Sequence, residues 1–97
     1  MTPDELTVAP DFQHLILDWP DGTSSRLPAE TLRREARDAA TRRRMIDHGF
    51  VEVAKGLSIT GLNLIGNGAV NITFSDGHDR AIYPWPYLRS LAQRFGN

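Results

Sequence analysis

The feature that most constrains the fold is an Asn-Gly step placed between two runs of alternating residues. Residues 57–60 alternate between apolar and polar types before it, and Val70, Ile72 and Phe74 alternate with polar residues after it. This is the strongest short-range sign of a β-hairpin, because the tight turn needs residues that tolerate positive φ. An antiparallel hairpin is therefore predicted in the second half of the chain.

A second turn is predicted in the first half. Apolar residues recur at period two over residues 14–19, and the Pro-Asp-Gly sequence at 20–22 follows directly. Alternation on both sides of such a turn is typical of paired strands, so residues 14–19 and 23–27 are predicted to be strands. A last strand is predicted over residues 81–83.

Two helices are predicted. Pro28 stands where the first turn of a helix tolerates a missing N–H, so one helix should begin there, continue through residues 35–46 and stop by Gly49. From Pro86 the apolar residues have helical spacing until Gly96. The predicted fold class is α+β, a small meandering antiparallel β-sheet with one inserted helix and one C-terminal helix.

The length of 97 residues allows one hydrophobic core, because two cores would each bury too little surface. Residues 1–10 are predicted to be an N-terminal tail and residues 11–97 a single domain. The absence of cysteine excludes disulfides, thiolate metal sites and cysteine nucleophiles. No membrane span is predicted, since no apolar run approaches about 20 residues. A cytoplasmic location is expected, because residues 1–11 lack the features of a signal peptide.

Charge is unevenly distributed, although the formal net charge is −1. Residues 1–25 hold five acids and no Lys or Arg, whereas residues 26–44 hold seven Arg against three acids. On one continuous helix, a ladder of opposite charges would form at i, i+4 spacing, made of Glu30, Arg34, Asp38 and Arg42.

The remaining arginines of this segment have two interpretations. They form either a solvated face or a site for an anionic partner, which includes RNA. Binding of nucleic acid is expected to be absent, because no aromatic residue between Leu27 and His48 is available to stack on bases. The residues concerned are Arg33, Arg37, Arg43 and Arg44.

The densest group of titratable and aromatic residues lies near the C-terminus. One interpretation is a turn followed by a strand-to-helix junction that packs into the core. The other is a binding site made of Asp76, His78, Asp79, Tyr83 and Trp85. A catalytic role is disfavoured, because general acid–base catalysis needs an oriented partner and the sequence carries no phosphate-binding loop, zinc-protease or serine-hydrolase motif.

Together these landmarks resemble the γ-butyrobetaine hydroxylase-like N-terminal domain, a family long described as a domain of unknown function. The resemblance covers roughly residues 11–93, and its pieces appear in the family's order. They are Leu17-x-Trp19-x-Asp21-Gly22, Leu27-Pro28 followed by Leu32-Arg33, Phe74-Ser75-Asp76-Gly77-His78, and Ile82-Tyr83-x-Trp85-x-Tyr87-Leu88.

The resemblance implies a zinc site, which this sequence does not preserve. In hydroxylase members the domain precedes a 2-oxoglutarate- and iron-dependent catalytic domain and carries zinc on three cysteines and the histidine of Asp-Gly-His. Other relatives attach it to iron–sulfur carrier proteins or leave it standing alone, the type that this chain resembles. The cysteine positions match Ala36, Asp38 and Thr41, so His78 alone remains as a metal ligand. No cofactor is expected, and zinc or iron is disfavoured.

The leading hypothesis is a non-catalytic binding or accessory module. Its role would be protein–protein interaction or homodimerisation, linked to an oxygenase or an iron–sulfur carrier. One alternative is a small metal-binding domain centred on His78, with Asp76 or Asp79 as oxygen ligands. The other alternative is an anion or nucleic-acid binder that uses the Arg-rich helix.

Overall fold

The computed structural model describes residues 2–49 and 52–96. The predicted α+β class is confirmed, but the strands form two three-stranded sheets and not one. In chain order the elements are β1 (Glu5–Val8), β2 (His14–Asp18), β3 (Ser24–Pro28), α1 (Ala29–Arg34), α2 (Ala39–His48), β4 (Ile59–Ile65), β5 (Ala69–Phe74), β6 (Ala81–Pro84) and α3 (Trp85–Phe95).

The first sheet has the strand order β1-β2-β3 and is antiparallel throughout. The prediction of a tail over residues 1–10 was wrong for Glu5–Val8, which pairs with β2. Leu6 lies opposite Leu17 in this pairing, so the inner face of β1 continues that of β2. A four-residue strand contains only two apolar–polar repeats, and so short a pattern does not stand out in the sequence.

The second sheet has the order β4-β5-β6 and is also antiparallel. The predicted hairpin is confirmed, with Gly66 at φ 55° in the turn. The segment 29–58 separates β3 from β4, so β4 starts a new sheet with β5 and does not extend the first one. Periodicity in the sequence predicts strands but not their partners, and the single meandering sheet was therefore wrong.

The predicted continuous helix is broken. α1 ends at Arg34, and Asp38 has extended backbone angles (φ −67°, ψ 158°) as the N-cap of α2. Its carboxylate accepts a hydrogen bond from the Thr41 N–H at 3.1 Å, which is the bond that starts a helix. The predicted ladder is consequently absent, because Asp38 caps one helix and does not continue another. Gly49 ends α2 in the left-handed region, as a stop residue should.

One core joins both sheets and α3. α3 lays its apolar stripe on this core, and the predicted C-terminal helix is confirmed from Trp85 to Phe95. No helix within residues 2–49 and 52–96 is long and apolar enough to cross a membrane. The fully buried core side chains come from both sheets, α1 and α3 and include Leu15, Leu17, Leu27, Leu32, Val70, Ile72, Tyr83, Leu88 and Leu91.

Candidate functional site

Two segments that are far apart in sequence meet at one polar cluster. The break between α1 and α2 lies against the turn that follows β5, and residues from the two segments form a closed ring of hydrogen bonds. We call it the charge cluster; its members are Arg33, Asp38, Thr41, Asp76 and His78.

The ring closes through short contacts. Arg33 donates from Nε to Oδ2 of Asp76 at 3.0 Å and from Nη1 to Oγ1 of Thr41 at 2.9 Å. The Thr41 hydroxyl donates to Oδ1 of Asp38 at 2.7 Å, and Nε2 of His78 lies 2.8 Å from the same oxygen. The His78 N–H donates to Oδ1 of Asp76 at 2.9 Å. Each of the five residues is therefore bonded to two others, through side chains in four links and through the His78 backbone in the fifth.

Local backbone structure positions both halves of the ring. Gly77 has φ 87°, a conformation that a side chain would strain. Two backbone hydrogen bonds close the turn. The Gly77 N–H donates to the Phe74 carbonyl at 3.0 Å, and the Phe74 N–H donates to the His78 carbonyl at 3.0 Å. On the other side, the cap of α2 fixes Asp38. The Asp-Gly-His sequence therefore aims an imidazole at a helix N-cap.

The environment keeps both cluster carboxyls ionised. Burial would raise the pKa of Asp38, but hydrogen bonds from Thr41 and then His78 outweigh it, so this pKa lies below its ordinary value. Burial likewise opposes ionisation of Asp76, and the His78 N–H and the Arg33 guanidinium lower its pKa overall. Both acids are charged and hydrogen-bonded at neutral pH, which leaves neither as an unengaged general base.

The other predicted binding residues lie elsewhere. Tyr83 is fully buried and donates its hydroxyl to the Leu32 carbonyl, and burial raises its pKa. Asp79 is exposed and contributes its carbonyl to a hydrogen bond from Asn71 at 2.9 Å. Trp85 donates from Nε1 to a turn carbonyl at 2.9 Å. These three residues therefore lie outside the charge cluster.

Arg37 is also outside the cluster. Its guanidinium lies 3.7 Å from the centroid of the Tyr87 ring. Arg33, in contrast, is only 6% exposed. The prediction that Arg33 and Arg37 form one accessible basic face was wrong, because the break after α1 turns one inward and leaves the other outside.

Asp38 and Thr41 are the site residues that reasoning from residue patterns missed. Asp38 was placed in a helical ladder, although Asp is also among the residues preferred at a helix N-cap. The resemblance had matched both positions to metal ligands, and they do lie beside His78. That match was the one signal in the sequence that could have located them.

The cluster does not fit a zinc ion. A structural zinc site uses four ligands, mostly thiolates and imidazoles, and Ala36 has no donor atom. Across residues 2–49 and 52–96, no group of three or more His, Cys, Asp or Glu side chains is placed to hold a metal. The Arg33 guanidinium also hydrogen-bonds to Thr41, so a positive charge already lies where a ligand would be needed.

We expect the purified protein to hold well under about 0.1 zinc per chain, and a chelator to leave its melting temperature unchanged. His78→Ala should cost about 1–3 kcal/mol, because Asp38 loses a hydrogen-bond donor in a partly buried site. Metal analysis by mass spectrometry and thermal unfolding with and without chelator test this. Stoichiometric zinc or iron that is lost together with folding in His78→Ala would contradict it.

A second candidate site is an apolar groove between the two sheets. Its volume is about 560 Å³, and its lining includes Leu6 of β1, Leu62 and Leu64 of β4, and Trp85. Leu64 lies opposite Val70 in the hairpin, so it projects from the core-facing side of the sheet. It is nevertheless 70% exposed. The core-facing surface of β4 thus extends beyond the core and forms one wall of the groove.

Comparisons with known proteins identify relatives over most of the chain. Residues 6–89 match the family model described as gamma-butyrobetaine hydroxylase-like, N-terminal. The match begins within β1, in agreement with a folded strand there. A search of curated proteins found no match.

Solved structures share this fold. A crystal structure of a protein of unknown function from Acidithiobacillus ferrooxidans, of the DUF971 family, is 30% identical, covers 94% of this chain and 92% of that chain, and has a TM-score of 0.75. A solution NMR structure is 27% identical over 96% of this chain and 73% of that chain, with a TM-score of 0.70. Another NMR structure, 24% identical, covers 96% and 70% with a TM-score of 0.72 and supports the fold alone.

Proposed function

We propose that this chain, which belongs to the gamma-butyrobetaine hydroxylase-like N-terminal domain family, is a non-catalytic binding module that docks a basic, apolar segment of a partner protein. The apolar groove is the observation that carries the proposal. The resemblance indicates the class of partner, an oxygenase or an iron–sulfur carrier of the cytoplasm.

The groove offers apolar surface that the fold itself leaves uncovered. Leu64 is 70% exposed and Leu62 is partly exposed, although both project from the core-facing side of the second sheet. Fully burying a leucine side chain contributes about 1.5–3 kcal/mol. A partner side chain that enters between β1 and β4 would therefore gain binding energy from surface that is already shaped by the core.

The charges beside the groove favour a basic partner. Asp4 and Glu5 are among the lining residues, and Glu5 lies directly opposite Asp18 in the pairing of β1 with β2. Like charges opposite one another destabilise a sheet. None of these three acids forms a salt bridge with another of the described residues. A Lys or Arg from the partner would relieve this repulsion.

The strands that flank the groove favour an extended segment. β1 and β4 each stand at one of the two edges of their sheets, so each has one side without a neighbouring strand from the part of the chain that the structure describes. An extended peptide can add to such an edge through backbone hydrogen bonds, while its alternate side chains enter the adjoining groove. The proposed occupant is accordingly a short strand with apolar residues on one face and Lys or Arg on the other.

The state of the charge cluster supports a non-catalytic role. Its carboxylates, hydroxyl and imidazole are engaged with one another, and no buried side-chain N or O atom of the described residues lacks a hydrogen-bond partner. General acid–base catalysis needs a group that can exchange a proton with a substrate. The cluster is built as a support for the fold.

Selection of short random peptides against the immobilised protein tests the proposal. We expect enrichment of sequences that alternate apolar with basic residues. Leu64→Asp should weaken the affinity for the selected peptides by about 30-fold or more, the loss expected when a central hot-spot residue is replaced. Ile82→Asp is the matched control, because Ile82 is 48% exposed in the same sheet but is not among the groove residues.

Three outcomes would overturn the proposal. The selected peptides could be acidic, or Ile82→Asp could weaken binding as much as Leu64→Asp. Sedimentation could instead show a dimer that dissociates in Leu64→Asp, which would make a second copy of the chain the occupant.

A further inference from the structure

Four arginines from separate parts of the chain converge on one depression beside α3. Arg34 ends α1, Arg37 lies in the break between helices, Arg42 belongs to α2, and Arg94 lies in the last turn of α3. They line a depression of about 240 Å³. Among the described residues, no carboxylate oxygen lies within 4.0 Å of any of the four guanidinium groups. Their mutual repulsion would be lowered by a bound anion.

One of these guanidiniums is held on a rigid support. Arg37 lies 3.7 Å above the Tyr87 ring, and Tyr87 donates its hydroxyl to the Glu35 carbonyl. The Tyr87 ring in turn stacks on that of buried Tyr83, with centroids 6.3 Å apart. A guanidinium ordered in this way loses little further freedom when a ligand binds.

We infer that this depression is a binding site for a phosphate group, either free phosphate or the monoester of a small molecule. The planar guanidinium donates paired hydrogen bonds that match phosphate oxygens, and several can share one phosphate group. Arg37 covers a face of the nearest aromatic ring, so that face is closed to a nucleobase. The rest of the lining comes from Glu35, Ala36, Thr41 and Met45. Glu35 is acidic, but its carboxylate lies more than 4.0 Å from each of the four guanidinium groups.

The site differs from the basic helix face expected from the sequence. Arg33 is buried in the charge cluster. Arg43 faces elsewhere and pairs with Asp47 at 3.5 Å, and Arg44 lines a separate depression beside His78. Arg94 belongs to the site although it lies about 50 residues further along the chain than the Arg-rich segment. The site is therefore a product of the fold and not of one helix.

Titration with inorganic phosphate at constant ionic strength, followed by amide chemical shifts, tests the inference. We expect saturable shifts at residues 34–45 and around Arg94, and a smaller response to succinate. Replacing Arg42 and Arg94 by glutamine should weaken phosphate binding about tenfold or more, since charge-assisted hydrogen bonds are lost. Replacing Arg26 and Arg80 by glutamine removes the same charge away from the depression and should change the affinity less than about twofold.

Melting temperatures of all variants show whether they fold. If the double variant does not fold, the single variant Arg94→Gln replaces it in the test, because Arg94 is exposed, and it should still weaken phosphate binding. Shifts that rise linearly without saturation would overturn the inference, as would equal losses in the two double variants. Comparing the affinity for phenyl phosphate with that for inorganic phosphate distinguishes a monoester site from a site for free phosphate. Tighter binding of either one supports the inference. Binding of labelled RNA through the same arginines in preference to phosphate would overturn it.

Discussion

Arg33→Met should lower the free energy of unfolding by about 3 kcal/mol, because it leaves the Asp76 carboxylate without its cation. Arg33 is 6% exposed, and its Nε lies 3.0 Å from Asp76 Oδ2. Removing one partner of a buried pair commonly costs about 3–5 kcal/mol. The side chain of Asp76 retains 30% exposure, which favours the lower end of that range. Urea unfolding at neutral pH measures the effect.

A double-mutant cycle separates the ion pair from simple loss of packing. Asp76→Asn keeps the oxygen that accepts from the His78 N–H but removes the charge. The double variant Arg33→Met with Asp76→Asn should lose less unfolding free energy than the two single variants together, by about 1 kcal/mol or more. Arg43→Met is the control on an exposed helix face and should change stability by less than about 0.5 kcal/mol. A cost below about 1 kcal/mol for Arg33→Met would show that the pair does not stabilise the fold.

The cluster lies where the resemblance implies a metal site, but it uses other chemistry. The contacts from Arg33 to Asp76 and from His78 to Asp38 join residues 43 and 40 positions apart, as a metal that tied the helix break to the turn after β5 would do. Here a guanidinium supplies the positive charge, and a helix N-cap supplies an acceptor. Zinc contributes folding energy through strong ligand bonds. The ring in this chain instead consists of several weaker, mutually dependent hydrogen bonds.

The parts of the fold that depend on local pattern could be predicted from the sequence. The hairpin at residues 66–68 and the C-terminal helix predicted from Pro86 follow from turn chemistry and helical spacing, and both are present, the helix beginning one residue earlier. The helix break at Asp38 competes with a helical pattern on either side, and only the geometry of the cap decides between them. The partners of each strand depend on contacts across the core, which periodicity does not contain.

The candidate site was predictable in part and for a different reason. The sequence singled out Arg33, Asp76 and His78, and the resemblance placed Asp38 and Thr41 at ligand positions. Their hydrogen bonds span about 40 residues of chain, so no local spacing indicates them. The groove was missed because β1 was assigned to a tail, and the arginine depression was missed because Arg94 belongs to another helix.

Acid should destabilise the protein through the same cluster. The pKa values of Asp38 and Asp76 are lower in the folded chain than their ordinary value of 3.8. A lowered pKa means that the folded state prefers the ionised form, so the stabilisation is complete above pH 3.8 and is lost as the pH falls through the folded pKa values. We therefore expect the free energy of unfolding to decrease steeply below about pH 4.

The double variant Asp38→Asn with Asp76→Asn is the test of this acid dependence. It lacks both titrating groups, so its stability should be lower at neutral pH and should change less below pH 3.8 than that of the wild type. Some dependence should remain, because the exposed acids Asp11 and Asp21 also have lowered pKa values. Urea unfolding across a series of acidic pH values measures both slopes. The slope of stability against pH measures how many more protons the unfolded state binds than the folded state. Equal slopes for the two proteins would mean that removing Asp38 and Asp76 leaves this number unchanged, and the acid sensitivity would then lie outside the cluster.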